Sequence, residues 1–364
     1  MFIRDKINEI IDNNGYISID DFIKETLSNN KDSYYKKLTS IGKDGDFTTA
    51  PEISQIFGEI IGLWAVEQCF ILKNDSRKII ILELGPGSGA LILNILKIFK
   101  LVPELFSILE IYLLEINPHF IKAQKKTLQN QKIPIYWISN LNELPQNKII
   151  ITLANEFFDA LPIKQFIKKK NTWKEIVITR NPHLQQLKFT EISIDTTLNN
   201  FLLKEYPEAQ EEAIIEESKD SISLLQNLLN LFKKSKAAAM LIIDYGYDIV
   251  KRNSTQFNPT LQAVFNHKFA NLLENLGQYD ITSHVNFQDL KKTLMSNKTD
   301  TMEIFSQREF LIKYGIMLRL EKLKIQNPDL KKILEKQVNR LISKNQMGEL
   351  FKILEFKILN NKNI

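Results

Sequence analysis

The chain has 364 residues, 44% hydrophobic and 25% charged, a balance at globular averages that excludes wholesale disorder. The length allows a full α/β core with a substantial insertion or second subdomain. Lys and Arg number 48 against 43 Asp and Glu, and the net +5 is spread without a basic face or a basic–aromatic stripe, so nothing points to nucleic acid. Cys69 is the only cysteine, which leaves no internal disulfide and no Cys-based zinc site. The opening MFIRDKINEIIDNNG carries Arg4, Asp5 and Lys6 and lacks the apolar core of a signal peptide. No stretch approaches the ~20 apolar residues of a membrane span. The expected location is the cytoplasm of a bacterium, or a matrix-like compartment in an organelle.

In chain order, residues 1–40 read as an amphipathic helix, a turn at Asn13-Asn14-Gly15 and a second helix from about Asp20. The segment IGKDGDFTTAPEIS (41–54) is turn-rich, and residues 52–72 return to helical spacing. From Lys78 strands and helices alternate. KIIILEL (78–84), EIYLLEI (110–116), IPIYWIS (133–139) and KIIITLAN (148–155) are short apolar runs, with helices at 90–100 and 118–128 between them. This alternation predicts a mostly parallel, doubly wound sheet. QFIKKKNTWKEIVIT then reads as a hairpin turning at Lys169 to Asn171, and 183–215 as an irregular cap. A helix near 220–234 precedes a fifth strand, AAAMLIIDYGY (237–247). Two late helices, IFSQREFLIKYGIMLRLEKL and PDLKKILEKQVNRLI, precede a closing strand at 350–359. The expected domains are an N-terminal region at 1–75, a core at 76–167 and 236–364, and a hairpin-and-cap insertion at 168–235.

ILELGPGSGALIL (81–93) carries the clearest chemistry. A buried strand ends, Gly85, Gly87 and Gly89 follow, and a helix begins, offering tight backbone approach and unpaired N–H groups. Gly85-x-Gly87-x-x-Ala90 also fits a dinucleotide fingerprint, so glycine spacing alone leaves NAD as an alternative. Two details favour S-adenosylmethionine. Glu83 puts a carboxylate where a cationic sulfonium and amino group suit it and a pyrophosphate does not. Pro86 removes an N–H that a pyrophosphate would use. Glu115, at the end of the second strand, can accept hydrogen bonds from both ribose hydroxyls, though a nicotinamide enzyme places an acid similarly.

The fourth strand ends in ANEFFDALP (154–162), on the edge where open α/β sheets bind ligands. Asn155, Glu156 and Asp159 therefore face the acceptor. An arginine guanidinium is always protonated in water, and a site for it needs carboxylates to hold it. Glu156, with Asp159, has that chemistry; the alternative is that Asn155 and Asp159 cap the turn after the strand. The 45–54 loop reads either as a lid or as a capped loop. The four histidines show no ligand spacing, so no metal is expected. His267, His284 and Asp244 remain candidates to line the crevice.

GDFTTAPEISQIFGEIIGLW (45–64), LELGPGSG (82–89), NEFFDALP (155–162), IIDYGY (242–247), TLQAVFNH (260–267), DITSHVNF (280–287) and MGELFKIL (347–354) appear in order. Together they resemble the MidA family of S-adenosylmethionine-dependent methyltransferases, which includes a mitochondrial assembly factor that methylates an arginine of a respiratory complex I subunit. The resemblance implies a Rossmann-like class I methyltransferase fold with a helical N-terminal region and a cap insertion. It carries over Glu83, Gly85, Pro86, Gly87, Gly89 and Glu115 as the donor site, and Asn155, Glu156 and Asp159 as the acceptor side. Asp46, Phe47, Thr48, Glu52 and His267 fall in blocks that would border the pocket. Three departures stand out: Ser33-Tyr34-Tyr35 replaces a Gly-Tyr-Tyr run, Ser88 and Ala90 replace Arg and Thr, and Asn140 stands where an acid often meets the adenine. The implied function is methylation of a protein arginine nitrogen, with a complex I subunit as partner and a homodimer left open. A catalytically quiet factor that binds the donor and docks a partner is the alternative.

Overall fold

Residues 79–84, IIILEL, are buried at every position, as befits a strand covered on both faces. The computed structural model describes residues 2–38, 49–73, 78–248, 257–265, 268–297 and 299–359. Within them the chain forms two units, the first from the described residues of 1–38, 159–223 and 249–288, the second from those of 39–158, 224–248 and 289–364. The expected boundaries at 75, 167 and 235 are not where the units part. Hydrophobic periodicity registers elements, whereas the units are set by which strands pair across long separations.

The second unit is built on strands β1 (Ile79–Leu84), β2 (Leu109–Leu114), β3 (Ile135–Ile138), β4 (Ile149–Asn155), β5 (Ala237–Tyr247), β6 (Thr301–Ser306) and β7 (Phe351–Leu359). Their spatial order is 3-2-1-4-5-7-6. Strands β1 to β5 pair in parallel, while β7 runs antiparallel between β5 and β6. Helices Gln55–Leu72 and Ala90–Phe99 pack on the face bearing Ile79, Ile81, Ile111, Ile151, Leu241 and Ile353. By length and composition Gln55–Leu72 is apolar enough to cross a membrane, contrary to the expectation that no such stretch exists; 72% of it is buried inside the protein.

Part of the expected late helix IFSQREFLIKYG is strand. Thr301–Ser306 pairs with β7, and the helix starts at Gln307, where Ser306 and Glu309 form a reciprocal capping box. That S-x-x-E signal lay inside an unbroken apolar period, which concealed the boundary.

In the first unit, Lys164–Lys169 and Thr172–Arg180 form the expected hairpin, with Lys170 and Asn171 at φ 47° and 62°. Positive φ at both turn residues is the geometry that matches strand twist. Ile17–Ser18, Leu187–Ser193 and Ile214–Glu217 complete this sheet, and Gln262–Phe265 joins Lys268–Ala270 and Asp280–Thr282 in another. The stretch 183–215, expected to be a cap or insertion, holds a strand and the helix Thr196–Glu205. Phe166, Trp173, Leu202 and Ile215 bury their side chains together there.

Candidate functional site

β1 delivers Glu83 to the sheet's carboxyl end at 3% exposure, with Oε2 unpaired among the described residues. Burial, and secondarily the Glu115 charge, push its carboxyl up to about 8. The chain then turns through Gly85, Gly87 and Gly89 at φ 61°, 52° and 82°. The Pro86 carbonyl accepts from Gly89 N at 2.8 Å, and Gly89 opens the helix Ala90–Phe99. Gly85 is needed twice over: its φ suits glycine, and a Cβ there would lie 2.7 Å from Phe157 Cδ2.

Glu115 follows β2. Its Oε1 accepts from the backbone N of Ile116 and Asn117 at 2.9 and 2.8 Å, and its Oε2 from Gln124 Nε2 at 3.2 Å. Burial raises its carboxyl, and these three hydrogen bonds oppose the rise. Asn140, after β3, spends Oδ1 on its own turn by accepting from Asn142 N at 2.9 Å. A cavity of about 560 Å³ opens beside it, lined among others by Leu114, Asn142, Asn227 and Lys234.

β4 ends at Asn155, 9% exposed, whose Nδ2 donates to Glu156 Oε1 at 3.2 Å and whose Oδ1 is buried without a partner among the described residues. Glu156 has φ 49°, a left-handed backbone uncommon for a non-glycine residue. Ala50 N also donates to Glu156 Oε1, at 3.1 Å. Two residues on, Glu52 Oε1 accepts from Ser88 Oγ at 2.7 Å. The segment 49–54 is thus pinned to both the turn after β4 and the glycine loop. Asp244, wholly buried in β5, accepts from the backbone N of Phe157, Phe158 and Tyr245 at 3.2, 3.0 and 3.0 Å and thereby fixes that turn.

Glu83, the three glycines, Glu115, Asn155 and Glu156 therefore lie in one unit, and the Phe157 ring on Gly85 joins the glycine loop to the turn after β4. Asp159 belongs to the first unit, where its charge acts on the buried Tyr35, which donates to Asp280 Oδ1 at 2.9 Å. His284 lies in that unit too, its imidazole pushed down by burial against a smaller pull from Glu216. Asp46, Phe47, Thr48 and His267 fall outside the described residues. Gln124 and the Ala50 N–H were not anticipated from the sequence. A buried glutamine on a Lys-rich helix, and a backbone donor, leave no pattern to find.

Strand order 3-2-1-4-5-7-6 with β7 reversed, a glycine loop after β1 and an acid after β2 define a class I methyltransferase fold. The chain belongs to the S-adenosyl-L-methionine-dependent methyltransferase family, whose profile it matches over residues 60–305. It is 31% identical to the Danio rerio protein arginine methyltransferase NDUFAF7, mitochondrial, over 95% of this chain and 84% of that one. The Mus musculus protein of the same name is 31% identical, over 94% and 81%. A Burkholderia thailandensis crystal structure bound to S-adenosyl-homocysteine superposes with a TM-score of 0.85 at 21% identity, over 100% of this chain and 93% of that one.

Proposed function

We propose that this methyltransferase acts on an arginine nitrogen of a protein, with Glu156 and Asn155 as its acceptor side. The observation that carries the reading is the Glu156 backbone, held left-handed while Asn155 Nδ2 and Ala50 N converge on one carboxylate oxygen. Two donors on Oε1 restrict the rotation of this side chain, and a carboxylate held at the acceptor side is the group with which a guanidinium pairs. The relatives' names support an arginine acceptor. Resemblance to the MidA family supports a respiratory complex I subunit as the substrate, in a mitochondrial matrix or a bacterial cytoplasm.

On the donor side, the proposed cradle is Glu83, Gly85, Pro86, Gly87, Gly89, Glu115 and Asn140. The fit to S-adenosylmethionine rests on charge and space. Glu83 holds a buried carboxylate oxygen, unpaired among the described residues, that a cation would satisfy, and the loop presents glycine backbone beside it. Bound there, S-adenosylmethionine supplies a methyl group on cationic sulfur. As the nitrogen–carbon bond forms and the carbon–sulfur bond breaks, the acceptor nitrogen sheds one N–H proton, and in this reading the Glu156 carboxylate takes it. Asp159 lies in the first unit and is left out of the proposed acceptor set.

The test is Glu156→Gln, with transfer of labelled methyl to arginine-containing protein or peptide measured at saturating donor. The expected loss is about 10²–10⁴-fold in rate with donor affinity retained within about twofold. Undiminished transfer by the variant would sink the assignment. A wild type that binds the donor yet methylates no protein arginine would favour a partner-docking factor or a small-molecule acceptor.

A further inference from the structure

The helix Pro118–Leu128 places one uncharged amide, Gln124, at zero exposure between three segments of the second unit. Its Nε2 donates to the Gly87 carbonyl at 2.8 Å and to Glu115 Oε2 at 3.2 Å. Its Oε1 accepts from Trp137 Nε1, on β3, at 2.8 Å. Gly89 packs on the same residue: a Cβ there would meet Gln124 Cα, Cγ and Cβ at 3.6 to 3.7 Å.

The chemistry of this position admits few side chains. Indole N–H only donates, so the group facing Trp137 must accept. A carbonyl and a carboxylate lie on the other side, so the group facing them must donate twice. One planar amide meets both demands, and Trp137 fixes which end of the amide points where. A carboxylate at 124 would repel Glu115, a lysine would have nothing to offer Trp137, and an apolar residue would leave buried polar groups unpaired.

We infer that Gln124 is a positioning residue for methyl-donor binding, a single amide that sets the glycine loop and the Glu115 carboxylate in register. The inference rests on the reading that Gly87 and Glu115 contact the donor. Glu115 is fixed at both oxygens: Ile116 N and Asn117 N hold Oε1, and Gln124 holds Oε2. Released from Gln124, the carboxylate can rotate while the loop carbonyl of Gly87 loses its buried donor. Binding then has to restore an arrangement that the wild type holds in advance.

The experiment combines calorimetric titration of S-adenosylmethionine with steady-state kinetics on Gln124→Leu, Trp137→Phe, Glu115→Ala and the Gln124→Leu/Glu115→Ala double variant. Gln124→Leu is expected to weaken donor binding about ten- to hundredfold, the range for losing a hydrogen bond to a charged group. Its kcat at saturating donor should stay within about threefold, since the reacting centre is untouched. Trp137→Phe, which removes the donor that orients the amide, should weaken binding by a smaller factor with kcat unchanged. The double variant should weaken binding by less than the product of the two single effects, because part of what Gln124 does runs through Glu115 and part through Gly87. Wild-type donor affinity in Gln124→Leu, or a kcat that falls as far as affinity, overturns the proposal. If Gln124→Leu does not fold, unchanged affinity in Trp137→Phe overturns it instead. Wild-type affinity in Glu115→Ala would overturn the donor-site reading itself, separately from the behaviour at 124.

Discussion

Raising the pH from 7 to 9 should tighten methyl-donor binding through Glu83, and the size of the effect follows from its burial. With the carboxyl pushed up to about 8, chiefly by desolvation and then by Glu115, roughly nine-tenths of the unliganded protein carries a proton there at pH 7. A cationic donor prefers the carboxylate, so binding at pH 7 must expel that proton. The cost is about 1.4 kcal/mol, or tenfold in affinity, and it vanishes well above pH 8. The sign for the protein alone is opposite. A carboxyl raised in the folded state contributes stability that is fully present below its unfolded value near 4.5 and is lost as pH rises through about 8. The donor's own α-amino group also titrates near pH 8 and loses charge in the unfavourable direction, so Glu83→Gln is the reference. Calorimetric titrations at pH 6.5, 7, 8 and 9, each in two buffers of different ionisation enthalpy, report affinity and proton release together. The wild type should gain about tenfold relative to the variant between pH 7 and 9 and release about 0.9 of a proton at pH 7. Parallel curves for the two proteins, with equal proton release, would refute the reasoning.

Gly85→Ala should cost about 1–3 kcal/mol of folding stability and abolish detectable donor binding, because φ is 61° and the new Cβ meets Phe157 at 2.7 Å. Adding Phe157→Ala should recover part of the melting temperature without restoring binding. Asp244→Asn exchanges an oxygen that accepts from Phe157 N and Phe158 N, or one that accepts from Tyr245 N, for an NH₂ group. Unsatisfied buried donors then face one another, at a cost of about 1–3 kcal/mol read by denaturant titration.

The strands β1, β2, β4 and β5 could be read from the sequence because each is a predominantly apolar run, and β1 and β4 are buried at every position. The hairpin at Lys170 and Asn171 was legible for a related reason: two strand-like runs flanked a short polar turn. Strands such as Gln262–Phe265 and Asp280–Thr282 were not, since three or four residues carry too little periodicity to register. At the site, Glu83, Gly85, Glu115 and Glu156 stood out because strand ends and glycine spacing mark them locally. The anchoring action of Asp244 did not. It depends on backbone N–H groups 86 and 87 residues away, which only the pairing of β4 with β5 brings within reach. Gln124 was hidden for the same reason, its partners coming from three separate turns of chain.

The reversed β7 also bears on the order in which the sheet can be completed. β7 is the last of the described strands yet occupies an interior place, with β5 on one side and β6 on the other. Until residues 351–359 have emerged from the ribosome, β5 lacks its partner along Ala237–Tyr245 and β6 has no neighbour to join among the described strands. The pairing of Ala237 with Leu359 closes a loop of more than a hundred residues, the kind of non-local contact that slows folding. During synthesis the apolar edge of β5 is therefore exposed for the time taken to make the intervening chain, a window in which chaperones or other nascent strands can reach it. Loss of the last ten described residues would remove the sheet's keystone, not its margin.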